Sequence, residues 1–219
     1  MNTSFTRQNT IRVKTSKGRK VGSTRWLQRQ LNDPFVQQAH SEGYRSRAIY
    51  KLMELDKEFK LFKPKQKILD LGAAPGSWSE YAASKGTYIT GLDLLPIEPL
   101  AGATFLQGDF TAPDISARLI EASGTDVFDV ILSDMAPNTS GHAATDHLRI
   151  MTLCEEVFYF AREHLRKDGK LVVKIFQGGA AAELLKLIKQ DFAKVKHVKP
   201  SASRKESTEM YLVATGFRK

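Results

Sequence analysis

The order of short apolar runs along the chain constrains its fold more than any other feature. Runs that suit β-strands cover residues 67–71, 88–95, 103–106, 128–133, 170–176, 195–198 and 210–215. Patterns that suit helices lie at 46–59, 78–84, 146–165 and 180–192. Strands that alternate with helices are typical of a parallel sheet covered on both faces. We therefore predict an α/β protein with a seven-stranded, Rossmann-like and mostly parallel sheet.

The final pair of strands breaks the alternation. Only about a dozen residues, with no helical pattern, join Val198 to Met210. A parallel crossover needs more chain and usually a helix, whereas an antiparallel pair does not. We predict that the last strand runs antiparallel to the others. Glu209, at its start, then lies at the carboxyl edge of the parallel strands, where open α/β sheets bind ligands.

A glycine-rich turn, DLGAAPG at 70–76, follows the first strand. Such a turn lets a ligand approach the backbone and the N-terminus of the next helix. The dinucleotide pattern G-x-G-x-x-G fails, because Ala74 and Ser77 stand where glycines are required, and this disfavours a nicotinamide oxidoreductase. Asp93 and Asp109 end the next two strands, where carboxylates suit ribose hydroxyls and an adenine amino group. The three features together predict a cofactor that carries a nucleoside.

Lys174 interrupts the fifth strand, between Val173 and Ile175. A lysine in a strand buried on both faces is energetically costly unless it is neutral or paired. The alternative is that its side chain emerges at the solvent-exposed end of the strand. Asp134 ends the neighbouring strand and reaches the same edge. Lys51 borders an apolar helical stripe, a position that by itself favours an ordinary surface lysine.

Positive charge is concentrated near the N-terminus. The first 50 residues hold ten Lys or Arg against Asp33 and Glu42, which accounts for eight of the nine net positive charges. A basic arm on a near-neutral body is typical of a polyanion-binding protein. We expect the arm, Arg45 and Arg47 to contact the phosphates of a nucleic acid. A solvated tail and a mitochondrial targeting segment are the alternatives, and binding to a membrane surface is less favoured.

We divide the chain into a flexible basic arm, residues 1–25, and one domain, residues 26–219. A helical stretch from residue 26 is interrupted at 32–34, where proline follows two turn-forming residues. No apolar run has the length of a membrane span, and no secretory signal is visible. The single Cys154 excludes an internal disulfide and suits the core of a protein in a reducing compartment. We expect a cytoplasmic protein without a membrane partner.

Ordered motifs along the chain resemble the FtsJ/RrmJ family of ribosomal RNA 2′-O-methyltransferases. They are YRSRAIYKL at 44–52, DLGAAPGSWS at 70–79, DLLP at 93–96, FLQGDF at 105–110, SDMAPN at 133–138, VVKIFQG at 172–178 and the segment 207–216. The resemblance covers roughly residues 43–217. It implies the fold of class I S-adenosylmethionine-dependent methyltransferases, with one antiparallel strand.

The same resemblance implies a site. Its catalytic tetrad would be Lys51, Asp134, Lys174 and Glu209, and its contacts to S-adenosylmethionine would be Gly76, Trp78, Asp93, Asp109 and Asp134. It implies no metal ion and a monomeric enzyme. Ser77 departs from the family, which often has glycine there. If this position required a positive φ, serine would cost about 1–2 kcal/mol and weaken cofactor binding.

The expected reaction is methylation of a uridine 2′-OH in 23S rRNA of the large ribosomal subunit. A tRNA-directed or cap-directed 2′-O-methyltransferase and a non-catalytic RNA-binding assembly factor are the alternatives. Lys174 would remove the hydroxyl proton, or stay charged and orient the oxygen. Burial, Lys51 and the sulfonium favour the neutral amine, whereas Asp134 and Glu209 favour the ammonium.

Overall fold

The computed structural model describes residues 24, 27, 28, 30–137, 141–177, 182–204 and 206–219. Nearly all of the predicted basic arm, residues 1–25, lies outside this part. Within the described part, no helix has both the length and the apolar character needed to cross a bilayer. No cluster of three or more metal-ligating side chains occurs in it either.

The sheet has seven strands in the order β3-β2-β1-β4-β5-β7-β6. The strands are β1 (Lys67–Leu71), β2 (Tyr88–Asp93), β3 (Ala103–Gln107), β4 (Phe128–Ser133), β5 (Leu165–Phe176), β6 (Phe192–Val198) and β7 (Glu209–Phe217). The helices are α1 (Pro34–Ser41), α2 (Ile49–Phe59), α3 (Ser77–Ser84), α4 (Ile115–Ser123), α5 (Ala143–His164) and α6 (Ala182–Asp191). The predicted α/β fold with a mostly parallel sheet is confirmed.

The β7 strand runs antiparallel to both of its neighbours, as predicted. Its register with β5 pairs Lys174 with Tyr211 and Phe176 with Glu209. The first residue of β7 therefore lies opposite the last residue of β5. This register brings Glu209 to the carboxyl edge of the parallel strands.

Apolar side chains cover both faces of the sheet. All six residues of β4 are buried, and its centre, Val130–Leu132, is apolar, as is typical of a strand covered on both faces. One core cluster packs α4, α5 and α6 against one face, and a second packs α2 and α3 against the other. The two-sided packing fixes the strand ends and thereby the edge on which the candidate site lies.

Two helices lie where the sequence patterns predicted none. Helix α1 begins directly after Asp33, whose side chain caps it by accepting from the Phe35 N–H, with Pro34 in the first turn. The interruption at 32–34 is therefore a helix start. Helix α4 buries only Ile115 and Leu119, so its apolar stripe is too short to stand out. Strand β5 also begins earlier than predicted, at Leu165 rather than residue 170.

Candidate active site

The four predicted tetrad residues come together at the carboxyl edge of the sheet. Asp134 follows β4, Lys174 lies in β5, Glu209 begins β7 and Lys51 projects from α2. The Lys174 Nζ is 2.7 Å from Asp134 Oδ1 and 3.6 Å from Glu209 Oε2. Lys51 forms an ion pair with the other oxygen of Glu209. The two lysines and two carboxylates thus form one connected cluster.

Lys174 is buried, with 7% of its surface exposed. Its ammonium also donates to the backbone carbonyl of Asp134 at 2.7 Å. A buried lysine is tolerated when it is paired and hydrogen-bonded in this way. The structure therefore shows the predicted buried and paired lysine. It does not show the alternative, in which the side chain emerges at the solvent-exposed end of the strand.

Tyr211 is a fifth member of the cluster that sequence reasoning missed. Its hydroxyl donates to Asp134 Oδ1 at 2.6 Å and accepts from Lys51 Nζ at 3.3 Å. The side chain is fully buried in β7. An aromatic residue in a buried strand is typical of a core, so only its register opposite Lys174 reveals the polar role.

Electrostatics hold the cluster in its charged form. Burial opposes the ionised carboxylate, but Lys174 and Lys51 together lower the pKa of Asp134 below its usual value. Burial likewise opposes the ammonium, but Asp134 and Glu209 raise the pKa of Lys174. Burial and both carboxylates raise the pKa of Tyr211 well above its usual value. In the protein without ligands, Lys174 is a cation, Asp134 an anion and Tyr211 neutral.

A cavity of about 600 Å³ opens beside Asp134, at the ends of β1 to β4. This volume falls within the range of cofactor sites. Gly72 forms part of the wall, with φ +75°, and a Cβ there would lie 2.7 Å from the Met135 nitrogen. The glycine is therefore needed both for the backbone conformation and for close packing against the chain after β4.

Asp93 and Asp109 both line this cavity. Asp93 accepts from the N–H groups of Ala74 and Leu95, each at 2.9 Å, and so ties the glycine-rich turn to β2. Asp109 accepts from the N–H and the hydroxyl of Thr111, which lower the pKa of this exposed carboxylate. Both side chains are thus oriented by bonds to their own loops while facing the cavity.

Carboxylates dominate the charge of the cavity wall. Asp93, Asp109, Asp134 and Glu156 line it, against Arg149 as the one cation among the described lining residues. Within the described part of the chain, the buried Oε2 of Glu156 has no hydrogen-bond partner. Such a wall suits a cationic ligand rich in hydroxyl and amino donors, and so fits S-adenosylmethionine.

Gly76 and Trp78, predicted as cofactor contacts, do not line the cavity. Gly76 has φ +102° and packs against the Arg45 guanidinium. Trp78 is 3% exposed, donates from Nε1 to the Ala48 carbonyl at 2.9 Å, and packs on the Tyr211 ring. In this arrangement Trp78 stabilises the site by packing on Tyr211. Its predicted contact with the cofactor stays a prediction.

Ser77 carries none of the backbone strain considered above. It is the first residue of α3 and is absent from the described non-glycine residues with positive φ. Its hydroxyl lies 2.7 Å from that of Ser46. The left-handed residue of this turn is Gly76, so serine at position 77 costs no left-handed backbone energy.

Two arginines expected to contact phosphates have partners within the protein. Arg45 donates to the carbonyls of Pro75, Glu98 and Pro99 at 2.7–3.1 Å, which joins the glycine-rich turn to the chain after β2. Arg47 forms an ion pair with Asp33. Arg45 therefore has a structural position beside the glycine-rich turn rather than an open phosphate-binding one.

A second cavity, of about 210 Å³, adjoins the tetrad on another side. Lys51 and Glu209 line this second cavity, whereas Asp134 lines the first. Lys174 connects the two groups through its contacts to both carboxylates. The tetrad thus forms a polar wall between two cavities, an arrangement that suits transfer of a group from a ligand in one to a ligand in the other.

Comparison with known proteins gives consistent results. The sequence profile of FtsJ-like methyltransferases matches residues 44–217. A Gluconobacter oxydans protein named ribosomal RNA large subunit methyltransferase E is 51% identical over 97% of this chain and 79% of its own length. A protein of the same name from Zymomonas mobilis is 54% identical over 94% of each chain.

A solved structure described as a ribosomal RNA methyltransferase from Plasmodium falciparum superposes with a TM-score of 0.70. It is 31% identical, and the alignment covers 80% of this chain and 98% of the other.

Proposed function

The chain belongs to the FtsJ-like methyltransferase family, and on that basis we propose that it transfers a methyl group from S-adenosylmethionine to a ribose 2′-hydroxyl of RNA. The names of its Gluconobacter and Zymomonas relatives support ribosomal RNA of the large subunit as the substrate. We assign the target as a uridine of 23S rRNA. We further propose a monomeric enzyme, since the four tetrad residues of one chain contact one another without a second copy. We also propose that it is cytoplasmic and uses no metal ion.

The position of the tetrad between two cavities carries this proposal. A ligand held in the larger cavity meets Asp134, and one held in the smaller cavity meets Lys51 and Glu209. Methyl transfer requires donor and acceptor to be aligned across a short gap. The buried Lys174 lies at that gap, in contact with both carboxylates.

The residues proposed to hold the cofactor are Asp93, Asp109 and Asp134, with Gly76 and Trp78 as further predicted contacts. When bound, S-adenosylmethionine supplies an electrophilic methyl group on a positively charged sulfur. Asp93 suits the ribose hydroxyls and Asp109 the adenine amino group, because each offers a carboxylate oriented by its own loop. The acidic wall also complements the positive charge.

Lys174 has the central catalytic role in this proposal. Its amine would take the proton from the 2′-hydroxyl, so that the oxygen becomes a better nucleophile toward the methyl group. The methyl–sulfur bond would break as the oxygen–carbon bond forms, and the sulfur would leave as a neutral thioether. Asp134 holds Lys174 in position through the 2.7 Å contact. Lys51 and Glu209 line the acceptor side and orient the ribose.

The charge on Lys174 must change during the reaction. An ordinary lysine is neutral in only about one molecule in 2,500 at pH 7, and the carboxylates raise the pKa of Lys174 further. A cationic ligand beside Asp134 opposes their effect. We therefore propose that Lys174 becomes a base only in the loaded site. If it kept its proton there, it would orient the hydroxyl instead.

The direct test is to locate the product. The protein is incubated with methyl-labelled S-adenosylmethionine and, separately, with unmethylated large ribosomal subunits, free rRNA and tRNA. A 2′-O-methyl group blocks alkaline cleavage of the adjoining phosphodiester, so the labelled nucleotide can be mapped. We expect one labelled uridine in 23S rRNA. Label on tRNA, label on a base, or no transfer would overturn the proposal.

A further inference from the structure

Arg45 joins two backbone segments that come from different ends of the sheet's first two strands. Its guanidinium donates to the Pro75 carbonyl at 3.1 Å and to those of Glu98 and Pro99 at 2.8 and 2.7 Å. Pro75 lies in the glycine-rich turn after β1, whereas the other two acceptors lie in residues 94–102, which connect β2 to β3 without helix or strand. A planar group with donors on both arms is suited to span acceptors on two segments. The guanidinium therefore cross-links the turn to this loop.

The glycine-rich turn leaves room for the guanidinium. A Cβ at Gly76 would lie 2.7 Å from Arg45 Nη1 and 3.2 Å from Ile97 Cγ2. Any side chain at this position would therefore displace the arginine or the loop after β2. The glycine thus serves the cross-link as well as the left-handed backbone of the turn, which has φ +102°.

The backbone that carries Arg45 is fixed to α3, the helix that follows the turn. The Arg45 N–H donates to a carboxylate oxygen of Glu80 at 3.2 Å. The hydroxyl of the next residue, Ser46, lies 2.7 Å from that of Ser77 at the start of α3. The arginine is therefore held beside its acceptors before any ligand binds, which reduces the entropy that ordering the loop would cost during binding.

Both cross-linked segments continue into the wall of the larger cavity. Ala74 precedes Pro75, and Asp93 and Leu94 end β2, and all three line this cavity. The Asp93 carboxylate accepts from the N–H groups of Ala74 and Leu95, each at 2.9 Å. The carboxylate proposed to receive the ribose hydroxyls is thus also the inner tie between the turn and the loop. Arg45 ties the same two segments from their other side.

We infer that Arg45 is a positioning residue for the cofactor, an inference that rests on the proposed function. By cross-linking the turn to the loop, Arg45 keeps the Asp93 carboxylate oriented toward the ribose hydroxyls of S-adenosylmethionine. Without the cross-link, the loop is free to move away from the turn. The carboxylate then follows its N–H donors and loses its orientation toward the ligand.

Arg45→Gln is the first test, with Arg218→Gln as a matched control. Arg218 likewise donates to two backbone carbonyls, those of Lys189 and Gln190 at the end of α6, and it does not line the larger cavity. We expect the Kd of S-adenosylmethionine, measured by titration calorimetry, to rise about tenfold for Arg45→Gln, the equivalent of one charge-assisted hydrogen bond. Arg218→Gln should keep the wild-type Kd.

The two possible failures of this experiment differ. An unchanged Kd in Arg45→Gln, with normal binding by the wild type, would overturn the positioning role and leave the proposed function intact. A wild-type protein that binds no S-adenosylmethionine would overturn the proposed function instead.

A ligand without ribose hydroxyls separates positioning of Asp93 from general stabilisation of the cavity. The probes are S-adenosylhomocysteine, the demethylated cofactor, and its 2′,3′-dideoxy analogue. Arg45→Gln should weaken binding of the first about tenfold and of the second less than about twofold, because the analogue has no hydroxyls for Asp93 to receive. Equal losses for the two ligands would overturn the positioning role.

Arg45→Lys tests whether the cross-link or the charge matters. Lysine keeps the positive charge, but its single ammonium cannot span the carbonyls of both segments. We expect Arg45→Lys to bind S-adenosylmethionine more weakly than the wild type, close to Arg45→Gln. Wild-type affinity in Arg45→Lys would show that a positive charge is enough and would overturn the cross-link.

Discussion

Lys174 and Tyr211 are register partners across β5 and β7, and both reach the same oxygen of Asp134. The distances to Asp134 Oδ1 are 2.7 Å from the ammonium and 2.6 Å from the phenol. Directly opposed residues of an antiparallel pair project to the same face of the sheet. The pairing of β5 with β7 therefore gives the carboxylate two donors, one from each strand.

Replacement of Tyr211 by phenylalanine should impair catalysis without unfolding the site. The ring and its packing on Trp78 remain, but the carboxylate of Asp134 loses its neutral donor. A hydrogen bond to a charged group contributes about 1.5–3 kcal/mol, so we expect kcat to fall about tenfold or more. Single-turnover methyl transfer at saturating substrate measures this.

Tyr81→Phe is the matched control for that variant. The Tyr81 hydroxyl donates to Asp56 at 2.8 Å, a bond of the same kind outside the tetrad. Its removal should lower thermal stability by a similar amount while leaving kcat unchanged. Equal kcat values for the two variants would show that Tyr211 only stabilises the fold.

The pH dependence of the chemical step should reveal the state of Lys174. Both carboxylates raise the pKa of this lysine, so the neutral amine becomes more abundant as pH increases. If the amine is the base, the logarithm of the single-turnover rate rises with a slope near one and levels off above the pKa of the loaded site. A rate independent of pH between 6 and 9 would assign Lys174 an orienting role.

Asp70 should make stability depend on pH in the neutral range. Burial, followed by Asp134 and Asp93, raises the pKa of this carboxyl to about 7, although a bond from Ser79 opposes the shift. The raised pKa means that its contribution to stability is present in full below the ordinary value of 3.8 and is lost as pH rises through 7. Asp70→Asn should reduce the fall in Tm between pH 5 and 8, whereas Glu121→Gln, at an exposed carboxylate, should not.

Alanine substitutions at Gly72 and Gly124 distinguish the effect of backbone strain from that of steric contact. Both have positive φ, but a Cβ at Gly72 would meet the Met135 backbone, whereas one at Gly124 meets nothing within 4 Å. Gly124→Ala should cost about 1–2 kcal/mol of stability and leave cofactor binding intact. Gly72→Ala should cost more and weaken binding of S-adenosylmethionine. Titration calorimetry and thermal melts compare the two, and equal effects would exclude a role for the Met135 contact.

Much of the fold followed from local patterns in the sequence. The short apolar run at the centre of β4, Val130–Leu132, and the short link before β7 were enough to predict a buried sheet and an antiparallel last strand. Helix α4 was missed because it buries only two residues. Helix α1 was missed because Pro34 was taken as an interruption, although proline in a first turn also marks a helix start.

The site could be predicted where a residue type is unusual for its position, as is Lys174, a lysine within the buried strand β5. Tyr211 gave no such signal, since a tyrosine in a buried strand is ordinary. Its role depends on the register that places it opposite Lys174 and on its contact with Asp134, which is distant in sequence. The expectation that Arg45 contacts phosphate overlooked the carbonyls of the neighbouring loops, which use its donors.

The central claim, that Lys174 performs methyl transfer between the two cavities, is tested most directly by single-turnover transfer to large subunits with Lys174→Ala. We predict that the rate falls by about 10²–10⁴ and that the Kd of S-adenosylmethionine stays close to the wild-type value. Lys194→Ala is the control and should behave as wild type, because Lys194 is exposed on β6 opposite Thr215, toward the end of β7 that is far from Glu209. A near-normal rate in Lys174→Ala would contradict the account.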